Sequence, residues 1–431
     1  VDLDQLAALR TPEGSAALAA ATEVAGGDPL AAAAALRSAG VPAGLAAAAL
    51  TQAELRRRAV GKFGPAAAGM FLTRAGLEQA TRGVVAARRA DRLRAAGVRT
   101  LADLGCGLGA DALAAARAGI RVYGVEADPV TAAMAAANAE AAGLADVFTV
   151  ECGDATAFDV SAVDAAFCDP ARRRAGTGRR IFDPNAYSPP WDFVTALAER
   201  VPHTVVKVAP GLDHALIPAG AEAEWVSVGG DLVEAALWCG RLAEVPRRAT
   251  VLKEGPPVNA FCIAGGPCNH PTPCDHPAGR QPACHQLTGS GAEEATVGPV
   301  RRYVHDPDPA VVRAHLVAEL AGELDATLAD PSIAYLYADA PGATPFARCL
   351  EVTDVLPFSL KRLRALLRER GVGRVEILKR GSALEPERLR RDLRLAGPQA
   401  ASLVLTRVAG APTVLVCRPV PDPLAQEAAA G

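Results

Sequence analysis

The sequence predicts an α/β protein: a mostly parallel sheet with an antiparallel last hairpin, a helical region before it and a second α/β unit after it. Three observations predict this. Residues 96–250 alternate short apolar strands with helix-forming runs, the pattern of a parallel sheet covered on both faces. The last two strand candidates, 223–228 and 233–239, are separated only by a turn around Gly229 and Gly230, which permits only an antiparallel hairpin. The first strand runs straight into a glycine cluster and then a helix: Thr100 to Leu104, then Gly105, Gly107 and Gly109, then Asp111-Ala-Leu-Ala-Ala-Ala-Arg117.

Residues 1–95 read as helical. Apolar side chains recur at helical spacing in Leu3, Leu6, Ala7 and Leu9, and again from Leu45 to Leu55. Thr11-Pro12 and Asp28-Pro29 look like helix starts, with proline at the first helical position. In the sheet region the candidate strands are 99–104, 120–125, 147–151, 164–168, 203–208, 223–228 and 233–239. Residues 255–298 lose periodicity; Gly, Pro, Cys and His dominate, as in an insertion or linker. Residues 300–422 form the second α/β unit, with strands near 355–358, 375–378, 401–405 and 413–417 and basic helices at 359–370 and 385–394.

The 431 residues suffice for two or three domains, and half are hydrophobic, so a sizeable core is available. A net charge of −3 excludes a molecule that is basic all over, so any nucleic-acid role must rest on a local patch. The start, Val1-Asp-Leu-Asp-Gln-Leu6, lacks the basic and apolar regions of a signal peptide, and the alanine-rich runs are too interrupted to span a bilayer. A cytoplasmic, reducing location is therefore expected, with the ten cysteines mostly buried thiols.

The glycine turn has the local geometry of a nucleotide-type cofactor site. Asp103 before it and Asp111 after it argue against a pyrophosphate, which wants positive surroundings. Such a pair fits a cofactor carrying an amine and a sulfonium, S-adenosylmethionine (SAM). The second strand ends in Glu126, 23 residues after Asp103, where a carboxylate can accept from both ribose hydroxyls; Asp128 is a second candidate. The third strand leads to Asp154 and Ala155, suited to the adenine amino group, and the fourth ends in Asp169-Pro170-Ala-Arg172. A lone glycine turn is often only a strand–helix connection. Four acidic strand ends in order at one sheet edge are not an ordinary accident.

Residues 60–245 resemble the class I SAM-dependent methyltransferases, whose Rossmann-like sheet is mostly parallel with an antiparallel last hairpin. More closely, the chain resembles bacterial methyltransferases with a C-terminal THUMP-like α/β domain. Met70-Phe-Leu-Thr-Arg-Ala-Gly-Leu-Glu-Gln-Ala-Thr81, Asp103-Leu-Gly-Cys-Gly-Leu-Gly109, Asp169-Pro-Ala-Arg-Arg173 and Tyr187-Ser-Pro-Pro190 carry this, with Lys379-Arg-Gly381 and Leu395 to Arg407 in the C-terminal part. The resemblance implies that the segment before the first strand folds over the methionine end of SAM, through Thr73, Gln79 and Thr81. The competing reading makes these polar residues a helix cap and an exposed face.

On the acceptor side, enzymes that methylate exocyclic base amines carry Asp/Asn/Ser-Pro-Pro-aromatic where this chain has Asp169-Pro170-Ala-Arg172, so the stacking ring is missing from the motif. Tyr187 or Trp191, from the downstream Tyr-Ser-Pro-Pro-Trp run, could supply it; otherwise that run is a rigid turn opening a helix, with Trp191 in the core. Five arginines within 172–180 suit phosphate backbones. From Lys361 to Arg394, twelve Lys/Arg face five Asp/Glu, so an RNA footprint (tRNA or rRNA) is expected there rather than a merely solvated face. Methyl transfer to a base nitrogen of RNA is the reading; a small-molecule methyltransferase and a catalytically silent SAM- and RNA-binding protein are the alternatives. Finally, Cys268, His270, Cys274, His276 and Cys284 could hold zinc, although Cys-x-His-x3-Cys-x-His matches no standard finger.

Overall fold

A computed structural model describes residues 1–170, 188–253 and 283–420. The helical region comprises α1 (Leu3–Leu9), α2 (Pro12–Val24), α3 (Pro29–Ser38), α4 (Ala43–Phe63), α5 (Arg74–Gln79) and α6 (Gly83–Ala95). Both predicted helix starts are N-caps followed by proline. Thr11 accepts from the Gly14 N–H and Asp28 from the Leu30 N–H, satisfying donors that the first turn leaves open.

Then follow β1 (Thr100–Leu104), α7 (Ala110–Arg117), β2 (Arg121–Glu126), α8 (Pro129–Ala141), β3 (Phe148–Cys152), β4 (Ala165–Cys168), α9 (Trp191–Arg200), β5 (His203–Val208), β6 (Glu222–Val228), β7 (Asp231–Gly240), β8 (Arg247–Leu252) and β9 (Cys284–Gly289). Every strand expected between 99 and 239 is present, displaced at its ends by at most two residues.

The described chain forms two compact units. The first holds residues 1–222 and Ala235–Glu244. Its strands hydrogen-bond in the order β3-β2-β1-β4-β5-β7, parallel except for β7, which runs antiparallel to β5. All of β4 and nearly all of β1 are buried, as expected where helices cover both faces. Arg92 on α6 ties this unit together. It makes a two-pronged bond to Glu222, 2.7 Å on each side, and its guanidinium lies 4.0 Å from the Trp238 ring. Planar, paired geometry of this kind fixes orientation as well as adding energy.

The second unit holds Ala223–Glu234, Val245–Lys253 and the chain from Cys284 onward. Here β6 turns into β7 through Gly229 and Gly230, both at positive φ, as a two-residue hairpin turn requires. β8 runs parallel to β6 and antiparallel to β9. The unit continues with β10 (Tyr303–Pro307), α10 (Pro309–Arg313), α11 (Val317–Glu323), β11 (Thr327–Leu328), β12 (Leu336–Ala338), β13 (Ala347–Pro357), α12 (Leu360–Glu369), β14 (Val372–Lys379), α13 (Pro386–Leu393), β15 (Gln399–Val408) and β16 (Ala411–Pro419). These strands form a seven-stranded sheet, β11-β12-β10-β13-β16-β15-β14, with β14 at an edge and parallel to β15. Leu363 and Leu367 of α12 and Leu389 and Leu393 of α13 are buried in one cluster with Leu403, Leu405, Val414 and Val416 of the sheet.

Several stretches differ from expectation: β8, β10, β11, β12, α10 and α11 stand where no element is expected, and β13 begins at Ala347 rather than near 355. Residues 255–298 read as structureless, yet Cys284–Gly289 is the strand β9; residues 254–282 lie outside the described part. The strand escapes sequence reading because only Leu287 of its six residues is buried, which leaves no alternation to detect.

Candidate active site at the carboxyl edge of the sheet

The glycine turn is fixed by the strand beside it. The Gly105 and Cys106 N–H groups donate to the Val125 carbonyl at 2.9 and 3.0 Å. Glu126, at the end of β2, accepts from the Gly107 N–H at 3.0 Å and from the Asp128 N–H at 2.9 Å. Gly109 stands at φ +82° as the residue before α7, and a Cβ there would lie 2.8 Å from the Phe148 ring, so only glycine fits.

Four carboxylates gather at this edge, and two have cations of their own. Asp111, in the first turn of α7, is paired with Arg89 of α6, whose guanidinium also lies 4.5 Å from the Phe167 ring. Asp169 is paired with Lys207 of β5, Oδ2 to Nζ at 2.6 Å. Glu126 is occupied by backbone N–H groups. Asp103, 1% exposed on β1, has neither carboxylate oxygen hydrogen-bonded among the described residues. Burial, reinforced by the negative charges of Asp111, Asp169 and Glu126, pushes its pKa well above the usual carboxylate range.

Lys207 is one of the site residues that sequence reading missed, with Arg89, Gln52 and Asn138. It is 7% exposed, and besides Asp169 its Nζ donates to Thr81 Oγ1 at 3.1 Å and lies 3.5 Å from the Gln79 carbonyl. Its signal is a single lysine in the otherwise apolar run Val205-Val-Lys-Val-Ala209.

The segment 70–81 is held over the glycine turn by buried amides. Gln52 of α4 clamps both backbone groups of Leu72, at 2.7 and 2.9 Å. Asn138 of α8 takes both backbone groups of Phe71 and also donates to the Leu108 carbonyl at 3.0 Å, joining this segment to the turn. A Cβ on Gly76 would lie 2.7 Å from Leu108. Lys62 closes the end of α5 by donating to the carbonyls of Leu77, Glu78 and Ala80, at 2.6, 2.9 and 2.9 Å. Burial, with Lys207 nearby, brings the Lys62 pKa down to about 8. Replacing Asn138 by alanine strips three buried backbone groups of their partner. We expect it to cost about 2–3 kcal/mol and to loosen SAM binding in parallel, read by thermal unfolding and calorimetry.

Several sequence candidates have other employment here. Thr73 caps α5 by accepting from the Gly76 N–H at 2.9 Å, the cap reading of that residue. Gln79 has an exposed side chain; its carbonyl, not its amide, faces Lys207. Asp128 caps α8 through the Thr131 N–H and hydroxyl at 2.8 and 2.7 Å, and exposed Asp154 caps a short turn through the same two groups of Thr156. These Thr156 bonds, backbone first, lower the Asp154 pKa. Ala155 follows it, half-buried, and Pro170 is buried beside Asp169. Trp191 opens α9 at 8% exposure, so its indole offers no free face for stacking on an acceptor, which corrects that expectation. Arg172, Tyr187 and the arginine loop 172–180 lie outside the described residues, as do Cys268, His270, Cys274 and His276. Cys284 is exposed at the start of β9, and among the described residues no group of three His, Cys, Asp or Glu side chains could hold a metal.

The donor set tests what can bind. A buried carboxylate without a partner calls for a cation, and a dinucleotide would instead bring a pyrophosphate against these acids. The ammonium and sulfonium of SAM meet the requirement. A sheet in this strand order, with such an acid-edged glycine turn, defines a SAM-binding α/β protein of the methyltransferase class.

Comparison with known proteins agrees. Residues 101–173 match a methyltransferase domain family, 347–419 a THUMP domain-like family, and 2–59 a domain of unknown function. An uncharacterized S-adenosylmethionine-dependent methyltransferase found in two strains of Mycobacterium tuberculosis is 34% identical over 382 residues, 85% of this chain and 95% of that one. A solved structure from Porphyromonas gingivalis with a provisional methyltransferase label superposes with a TM-score of 0.68 at 19% identity, over 98% of this chain and 100% of that one, showing the shared fold. The chain belongs to the S-adenosylmethionine-dependent methyltransferases, with a THUMP-like domain at its C-terminal end. Among the described residues, no helix is long and apolar enough to cross a membrane.

Proposed function

We propose that this enzyme methylates a base nitrogen of RNA. SAM supplies an electrophilic methyl group on a sulfonium. Asp103 would hold the cofactor's ammonium, Glu126 the ribose hydroxyls, and Asp154 with the backbone of Ala155 the adenine, above Gly105, Gly107 and Gly109. Asp111, held by Arg89, contributes to the field rather than to direct contact. Asp169, with Oδ2 anchored by Lys207, would accept an N–H of the base through its other oxygen, raising electron density on the nitrogen.

The observation that supports RNA is the state of the cations on the THUMP-like domain. Of the twelve Lys/Arg between 361 and 394, several are spent internally: Arg370 on Asp354, Lys379 on Glu385, Arg380 on Asp306, Arg390 on Glu387. Lys361, Arg362, Arg368, Arg374, Arg391 and Arg394 are exposed, and none has a carboxylate within 4.0 Å among the described residues. These exposed cations cluster on one domain, and phosphate oxygens suit such a basic face.

The test is transfer of tritium from labelled SAM into total RNA, together with RNA binding at several salt concentrations. Arg362→Glu, Arg368→Glu and Arg391→Glu combined should flatten the slope of log affinity against log salt by about 3, with SAM affinity unchanged. Label appearing in a small-molecule extract and not in RNA would sink the reading.

A further inference from the structure

Lys207 has a place in this site beyond packing. β4 and β5 are parallel, with Cys168 level with Val206, so Asp169 stands level with Lys207 on the neighbouring strand ends. One step back in the same register, Phe167 is level with Val205 on one side and Asp103 on the other. Asp103 and Asp169 thus occupy adjacent strands at one edge, close enough that Asp169 contributes to raising the Asp103 pKa. Two carboxylates so placed would compete for one cofactor cation. The chain distinguishes them: Lys207 is bonded to Asp169, while Asp103 is left without a hydrogen-bond partner among the described residues.

We infer that Lys207 is a positioning residue that offsets the charge of Asp169 toward the cofactor's sulfonium and turns Asp169 to the acceptor, while Asp103 meets the ammonium. The pairing fixes Oδ2 at 2.6 Å, and Thr81 fixes the ammonium from the other side at 3.1 Å, so the carboxylate's orientation is set from the segment that overlies the turn. The inference rests on the proposed acceptor role of Asp169 but not on RNA as the acceptor.

The test therefore needs no acceptor. SAM and S-adenosylhomocysteine share their ammonium and differ in the sulfonium charge, so the ratio of their dissociation constants reports the charge that the sulfonium meets. Calorimetry on the full chain gives that ratio. Lys207→Met uncovers Asp169 and should favour SAM over S-adenosylhomocysteine by about tenfold more than in the parent protein. Asp169→Asn uncovers Lys207 and should shift the ratio the other way, by about fivefold. The double variant should return to the parent ratio, as should Lys207→Arg, which keeps the charge. A purely structural lysine would weaken both ligands in parallel. Parallel loss, or an unchanged ratio in both single variants, overturns the inference. If Lys207→Met does not fold, Asp169→Asn against Lys207→Arg still decides. If these ratios move as stated while no label enters RNA, only the choice of substrate fails.

Discussion

Asp103→Asn is expected to weaken SAM binding by about 10- to 100-fold, the loss of one hydrogen bond to a charged group at about 1.5–3 kcal/mol. The reason is the missing partner. Asp103 lies on a fully flanked strand with both oxygens unbonded among the described residues, in the field of three other acids. Without the cofactor, such a carboxyl keeps its proton to a higher pH than an ordinary aspartate. The sign follows from linkage: a carboxyl whose folded pKa is raised contributes stability present in full below its unfolded pKa, near 4, and lost as pH rises through the raised value. The free protein should therefore lose stability with rising pH over that window, and the asparagine variant should lose less. Binding a cation against Asp103 releases the proton, so SAM should bind more tightly as pH rises. Calorimetry in buffers of different ionisation enthalpy should show net proton release on SAM binding that is lost in Asp103→Asn. Affinity that is independent of pH and equal in the two proteins would show that the carboxylate does not meet the cofactor.

The sequence made one side of this site legible and hid the other for a physical reason. Asp103, the glycines and Glu126 are readable because each stands at a strand end beside its own turn, and local spacing places them. Thr11 and Asp28 were readable as caps on the same local ground. Thr73 is legible as a cofactor contact or a helix cap, and Asp128 and Asp154 as cofactor contacts. Asp128-Pro-Val-Thr131 and Asp154-Ala-Thr156 also contain the hydroxyl-bearing partner that an N-cap uses, and the caps at Asp128 and Asp154 each engage a single carboxylate oxygen. Lys207 was not readable because its partner, 38 residues away, is brought level only by the register of β4 and β5; Arg89 was not, because its partner Asp111, 22 residues on, lies on the neighbouring helix α7. Gln52 and Asn138 look like ordinary polar helix positions; their burial against Leu72 and Phe71 exists only once α4 and α8 enclose the segment between them. Long-range pairing, not local propensity, decided each of these.

Asp169→Asn is expected to reduce methyl transfer by about 100- to 1,000-fold, within the range for a positioned group that handles a proton or an N–H in the transition state. SAM should still bind, within about tenfold of the parent affinity, the residual loss coming from the uncovered Lys207 charge. Asparagine keeps the shape and an accepting oxygen. It lacks the negative charge that would draw density onto the acceptor nitrogen, and its amide has no ion pair with Lys207 to hold it. Turnover rather than binding should therefore carry the loss, a split that a folding defect cannot produce. Thermal unfolding with and without SAM checks that the variant is folded and loaded. Asp169→Glu separates charge from position: it restores the charge but moves it by one methylene. Recovery of little activity would place the requirement in geometry set by Lys207, and substantial recovery would place it in charge alone. Single-turnover tritium transfer into RNA reads all three proteins, and parent-like rates in Asp169→Asn would remove Asp169 from the chemistry.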